Sequence, residues 1–226
     1  MTVSNGSCPN AVATYSVVVK ATPTASAGGT NTICQSGTYT LAGGEASSAN
    51  GTILWTEDGL GSITAGATTL TPTYTSVAGD AGNTVTLTMT VSNGFCPDAM
   101  ATYSVVVKQT PTASAGGSNT ICHTGAYTLV GGEATAPIGT ILWTHKGAGS
   151  ITAGATTLTP TYTAAAGDAG TIVTLTMTVT NAPCANATAT YSIDVKATPT
   201  ASAGGSQTIC QNGSATLSGG DASSTN

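Results

Sequence analysis

The sequence predicts an all-β chain of tandem sandwich domains. Three observations carry this: a threonine-rich composition poor in helix formers, runs that alternate with period two, and an internal repeat with an 88-residue offset. Thr accounts for 47 of 226 residues, whereas Leu, Glu and Lys are scarce and Arg is absent. Threonine, valine and tyrosine suit a pleated, half-buried surface, and the missing residues are those that favour helices. In residues 84–91, Val85, Leu87, Met89 and Val91 alternate with threonine without a fault. One apolar face and one hydroxyl face make the pattern of a half-buried strand.

The repeat sets the architecture. Trp55 recurs as Trp143, Cys8 as Cys96 and Cys184, and Cys34 as Cys122 and Cys210. Residues 23–108 match residues 111–196 at 62 of 86 positions without a gap. A unit of this length is too long for a solenoid repeat and fits a small sandwich domain. The expected organisation is the end of a preceding repeat (1–22), complete repeats at 23–110 and 111–198, and the start of a following one (199–226). Met1 falls on Met89, a strand residue, so the chain reads as an excerpt from a longer array.

Within a repeat, strand A is expected at 24–27 continuing to Cys34, B at 38–42 and C at 53–56. A less defined D/E region spans 63–75, with F at 84–92 and G at 100–108. That is about seven strands, the count of an immunoglobulin-like sandwich. Trp55 and Trp143 lie on strand C, where such domains bury a tryptophan, and are expected in the core.

Composition excludes partners. Only 6% of residues are charged and the net charge is −5, so no basic stripe exists to neutralise phosphates, and nucleic-acid binding is excluded. No apolar run reaches the roughly 18 residues of a membrane helix, so the chain is not expected to be membrane-embedded.

The segments Ala27-Gly28-Gly29, Thr32-Ile33-Cys34, Tyr39-Thr40-Leu41 and Leu54-Trp55-Thr56, with the run 85–93, follow in a fixed order. In this the chain resembles the PKD-like and Ig-like repeats of giant surface adhesins of Bacteroidetes-type bacteria. The resemblance covers the whole chain. It implies tandem sandwiches in an extended rod, export through the type IX secretion system, and a role in filaments that include gliding-motility adhesins. The chain has Trp55-Thr56-Glu57-Asp58-Gly59 where many PKD domains carry an aromatic-rich turn.

No catalytic constellation can be assembled twice. His123 and His145 stand where the first repeat has Gln35 and Glu57, and the acid pair Glu57-Asp58 becomes His145-Lys146. The segment is therefore expected not to be an enzyme, and no cofactor is expected. Calcium is weighed at Glu45, Glu133 and Asp221, and at Asp80 and Asp168. No EF-hand-type loop is present and the two sets fall in different loops, so solvated loops are the favoured reading. The threonine ladders are read as solvated sheet faces.

Two cysteines per repeat, without C-x-x-C spacing, suit an oxidising compartment and structural disulfides. Two pairings are open. Counting pairs Cys34 with Cys96 and Cys122 with Cys184, inside each domain. Strand polarity instead places Cys34 and Cys96 at opposite ends of a strand of roughly 33 Å and slightly favours Cys34–Cys184 between domains, the remaining partners lying in further repeats.

These readings converge on a stalk or filament segment of a secreted bacterial adhesin at the cell surface. Its partners would be neighbouring repeats, lateral copies of itself or a surface polysaccharide. The alternatives are a carbohydrate-binding or spacer array of a secreted hydrolase, and a self-assembling extracellular sheath. Only four lysines protect sheet edges, and Lys20, Lys108 and Lys196 occupy the same strand end.

Overall fold

A computed structural model describes residues 1–216 and 222–225. The chain divides into two compact units, Met1–Val107 and Lys108–Asn226. The first opens with a short hairpin, β1 (Thr2–Val3) and β2 (Ala11–Val12). The strands of its sandwich follow: β3 (Thr24–Ala27), β4 (Thr30–Cys34), β5 (Thr38–Thr40), β6 (Ala46–Ala49), β7 (Thr52–Glu57), β8 (Ser62–Ala65), β9 (Thr73–Thr75), β10 (Thr84–Ser92) and β11 (Ala99–Lys108).

The second unit repeats the pattern as β12 (Ser114–Ala115), β13 (Ser118–Cys122), β14 (Ala126–Thr128), β15 (Ala134–Thr135), β16 (Thr140–Lys146), β17 (Ser150–Ala153), β18 (Thr161–Thr163), β19 (Thr171–Thr180) and β20 (Ala187–Lys196). A hairpin of β21 (Thr200–Ala203) and β22 (Ala222–Thr225) follows.

Each sandwich has the same topology. One sheet has the order β4-β11-β10-β7, repeated as β13-β20-β19-β16. The facing layer holds β3-β6 and β5-β9-β8, repeated as β12-β15 and β14-β18-β17. In seven-strand terms, A and B are each broken in two by a Gly-Gly pair. Strand A therefore does not run unbroken to Cys34. It breaks at Gly28-Gly29, where Gly29 has φ +128° and an added Cβ would lie 3.1 Å from the Tyr103 ring. The chain crosses there from one layer to the other. Strand B likewise breaks at Gly43-Gly44, and its second half, β6, occupies part of what the sequence reads as a loop. Ala-Ser-Ser-Ala is a weak strand former by itself; its pairing with β3, Ala27 opposite Ala46 and Ala25 opposite Ser48, supplies the order. The D/E region resolves into β8 and β9.

The alternating run makes the core. Val85, Leu87, Met89 and Val91 are at most 2% exposed and pack with Tyr103, Val105 and Val107 of β11, Trp55 of β7 and Tyr74 of β9. Trp55 and Trp143 are each 3% exposed. Their indole Nε1 groups donate to the carbonyls of Thr69 and Thr157, 2.9 Å each, which satisfies the one polar atom of a buried tryptophan. On the outer faces threonine hydroxyls bond across strands, Thr40 to Thr73 at 2.8 Å and Thr64 to Thr75 at 3.0 Å, with Thr128–Thr161 and Thr152–Thr163 repeating both.

One buried carboxylate closes each sandwich. Asp80 is 2% exposed and accepts from the amides of Leu60 (2.7 Å), Gly61 (3.0 Å) and Val77 (3.0 Å) and from the Tyr74 hydroxyl (2.7 Å). Asp168 accepts from Ala148, Gly149, Ala165 and Tyr162 in the same way. Burial alone would raise the Asp80 carboxyl, but its four donors together outweigh this and hold it below its ordinary value. Burial and the neighbouring carboxylate push the Tyr162 hydroxyl up to about 12.

Asp80→Asn is expected to destabilise the first unit by about 3 kcal/mol, because one carbonyl replaces two acceptor oxygens and an NH₂ group faces backbone donors. The folded carboxyl titrates below its ordinary value of 3.8. Its contribution is therefore complete above that pH and is lost as pH falls through the lower folded value. Urea unfolding at pH 7 and at pH 3 measures both effects: the variant lacks this component of the wild-type acid sensitivity.

Candidate functional site at the domain ends

The repeated chemistry gathers at the two ends of each sandwich. At the end where the chain enters, the turn between the two longest strands grips the incoming segment. In the first unit the Asn93 amide donates to the Ala21 carbonyl (2.8 Å), and the Cys96 sulfur lies 3.7 Å from the Lys20 carbonyl. Asn50 donates to Thr22 at 3.1 Å, and the Lys20 ammonium stands 5.6 Å from the Phe95 ring centre. Pro23 behind them is buried. The second unit keeps the grip with a different turn, which contains a cis Ala182–Pro183 bond. Asn181 donates to Gln109 at 2.7 Å, the Cys184 sulfur lies 3.5 Å from the Lys108 carbonyl, and Pro111 is buried.

The end where the chain leaves carries the other cysteine. β13 runs parallel to β20 with Ser118 opposite Ser192 and Cys122 opposite Lys196. The His123 amide donates to the Lys196 carbonyl at 3.0 Å, and its Nδ1 lies 2.9 Å from the Thr198 hydroxyl. In the first unit β4 is likewise the neighbour of β11, so Cys34 lies at the edge of the same sheet.

This register rules out pairing inside a domain. Cys122 is level with the last residue of β20, whereas Cys184 lies in the turn before its first. A ten-residue strand separates those levels by roughly 33 Å, against the 7 Å a disulfide allows. Cys96 and Cys122 are free thiols, as are Cys8 and Cys210. The Cys34–Cys96 and Cys122–Cys184 alternative is thereby corrected.

The acids weighed for calcium are occupied otherwise. Glu45 accepts from the hydroxyls of Tyr39 (2.8 Å) and Tyr103 (2.8 Å) and from the Ala42 amide, beneath two rings stacked at 5.7 Å. These bonds, that from Tyr39 foremost, hold its carboxyl below the ordinary range. Glu133 repeats the clasp with Tyr127 and Tyr191. Asp221 lies outside the described residues. Among the described residues no three metal-ligating side chains converge. Asp58 and Asp80 line a cleft of about 280 Å³, but the Asp58 carboxylate accepts the Thr86 amide at 2.6 Å and Asp80 is saturated.

Sequence reasoning located the cysteines but missed the asparagine grip. The signal was present as Asn-x-x-Cys at Asn5–Cys8, Asn93–Cys96 and Asn181–Cys184.

No family model and no curated protein matches the sequence. Solved structures of tandem immunoglobulin-like domains are similar in fold. DIP-gamma IG1+IG2 has TM-score 0.45 and 10% identity, covering 79% of this chain and 99% of that one. The insect immune protein hemolin has TM-score 0.38 and 10% identity, covering 74% and 44%. The N-terminal eight Ig domains of Down syndrome cell adhesion molecule have TM-score 0.41 and 11% identity, covering 82% and 28%. The chain thus spans less than half of the last two.

Asn181→Ala removes the bond to Gln109, worth about 1 kcal/mol. Amides of residues 108–112 are expected to exchange roughly fivefold faster, with β19 and β20 unchanged, as read by hydrogen exchange with mass spectrometry.

Proposed function

We propose that the chain is a non-enzymatic stalk segment of a secreted tandem-repeat adhesin displayed at a bacterial surface. The observation that carries this is that the contact to the incoming chain recurs in both copies, Asn93 on Ala21 and Asn181 on Gln109. Between the two copies, lateral positions such as Glu57-Asp58 and Ser47–Ala49 change, as does Asn50 of the entry end, while the gripping asparagine, both cysteines and the terminal lysine stay. A protein that recognises a ligand through its loops has no need to hold its connections constant; a spacer does. The family resemblance adds export through the type IX system and a place in gliding-motility or attachment filaments.

In this reading Cys34 and Cys184 bridge consecutive domains. Cys34 lies on the strand beside β11, which ends in Lys108, and the Cys184 sulfur is 3.5 Å from the Lys108 carbonyl. They are the two cysteines of the six that are not free thiols. The bridge and the short linker limit bending at the junction. The carbohydrate-binding alternative loses its platform, because both tryptophans are buried with their Nε1 groups engaged.

Deleting residues 23–110 is expected to shorten the longest dimension of the particle by about 35–40 Å, one strand length plus a linker. Small-angle scattering measures this, and an unchanged dimension contradicts the stalk reading. Non-reducing peptide mapping is expected to recover a Cys34–Cys184 linked peptide. Reduction should broaden the distance distribution between labels on the two units without lowering the unfolding midpoint of either.

A further inference from the structure

Cys34 and Cys184 close a covalent shortcut through the chain; this rests on the inter-domain bridge of the stalk reading. Along the backbone, two complete sandwiches separate Pro23, where the first repeat begins, from Lys196, where the last strand of the second ends. Through the bridge the same two residues are joined by residues 23–34 and 184–196 alone, 12 and 13 residues. Residues 35–183 become a closed loop off that path. The loop holds both buried tryptophans, Asp80 and Asp168, and the whole of β10 and β19.

The two segments on the path are already drawn out. Residues 23–34 run from the buried Pro23 through β3 and β4, and Cys34 is the last residue of β4. Residues 184–196 run from the entry turn through β20, ten residues long. A chain of 12 or 13 residues reaches at most about 40–45 Å, of which a ten-residue strand already covers roughly 34 Å. Each segment can therefore lengthen by only about 10 Å before its covalent bonds bear the load. A sandwich pulled by its own two ends behaves differently. Its 86 residues reach about 290 Å once unfolded, a gain of roughly 250 Å.

We propose that the bridge makes the pair of repeats an inextensible tether. Tension between Pro23 and Lys196 is carried by β3 and β4, the Cys34–Cys184 bond and β20, and both cores are bypassed. Strand direction makes the route direct. β13 runs beside β20 in the same sense, with Ser118 opposite Ser192 and Cys122 opposite Lys196, and β4 holds the same place beside β11. The strand that brings the chain into a sandwich therefore delivers its cysteine to the end where the chain leaves. Unfolding of a core then adds no length to the loaded path.

The test stretches single molecules of the whole chain, held by peptide tags ligated to its two ends so that no thiol is used. Residues 1–22 and 197–226 contribute at most about 75 and 100 Å. The bridged chain is expected to show no step near 250 Å before the tether breaks. The wild-type chain after reduction is expected to show two such steps, one for each sandwich. Cys34→Ser and Cys184→Ser open the same bridge from either unit and are expected to show the same two steps. Non-reducing peptide mapping of each preparation reads the bridge independently. Steps of about 250 Å from a preparation mapped as fully Cys34–Cys184 linked overturn the tether and leave the bridge standing. Reduced chain and both variants lacking these steps overturn it too, because something other than the bridge then limits extension. Absence of the linked peptide overturns the bridge itself, and the tether with it.

Discussion

The parallel pairing of β13 with β20 is the constraint on which the rest of the chain's chemistry depends. An antiparallel first strand would bring its cysteine to the turn end, and a bond inside the domain would follow. Parallel pairing sends Cys122 to the level of Lys196 instead. The Gly28-Gly29 break makes this possible, because the chain must leave one layer and join the other while still running in the same direction. A β-branched residue at Gly29, with its positive φ and its contact with Tyr103, would close that route. Two glycines thus decide that each sandwich presents one cysteine at each end.

With so few charges, these domains rely on buried acceptors and hydroxyl pairs. The acids that recur between copies are those with the most donors: Asp80 and Asp168 bind the loop before β8 or β17 to the turn before the longest strand, and Glu45 and Glu133 tie two stacked tyrosines to the strand B break. Deprotonation is favoured in all four by hydrogen bonds to the charged form rather than by cations. Threonine pairs do for the outer faces what salt bridges do elsewhere, and neutral pairs are not screened by salt. Among the described residues the one ion pair, Lys196 with Asp194 at 2.7 Å, is solvent-accessible and has no counterpart in the first unit, where Val106 replaces the aspartate.

Much of this was legible in the residues. Periodicity exposed the core strand because burial of Val85, Leu87, Met89 and Val91 on one side is the same fact as their spacing. Strand polarity alone sets Cys34, before strand B, and Cys96, after strand F, at opposite ends of the sandwich. What escaped has a common cause. β6 is ordered by its partner β3 rather than by Ala-Ser-Ser-Ala itself, and the split of strand A depends on which layer each half joins. Asn93 and Asn181 act on carbonyls 72 residues earlier. A contact of that separation leaves no local pattern, and only comparison of copies reveals it.

The comparison of copies also separates what a domain needs from what a junction needs. Trp55, Tyr74, Asp80 and Tyr103 serve the interior, and any sandwich of this topology would keep them. The Asn-x-x-Cys turn serves no interior: its sulfur and amide both point to the chain arriving from the previous repeat. Its turn sequence changes from Gly94-Phe95 to Ala182-Pro183, with a cis bond in the second copy, yet asparagine still reaches its carbonyl within 0.1 Å of the first copy's distance, 2.7 against 2.8 Å. Two different backbones converging on one contact argue that the contact, rather than the turn, is the element under constraint.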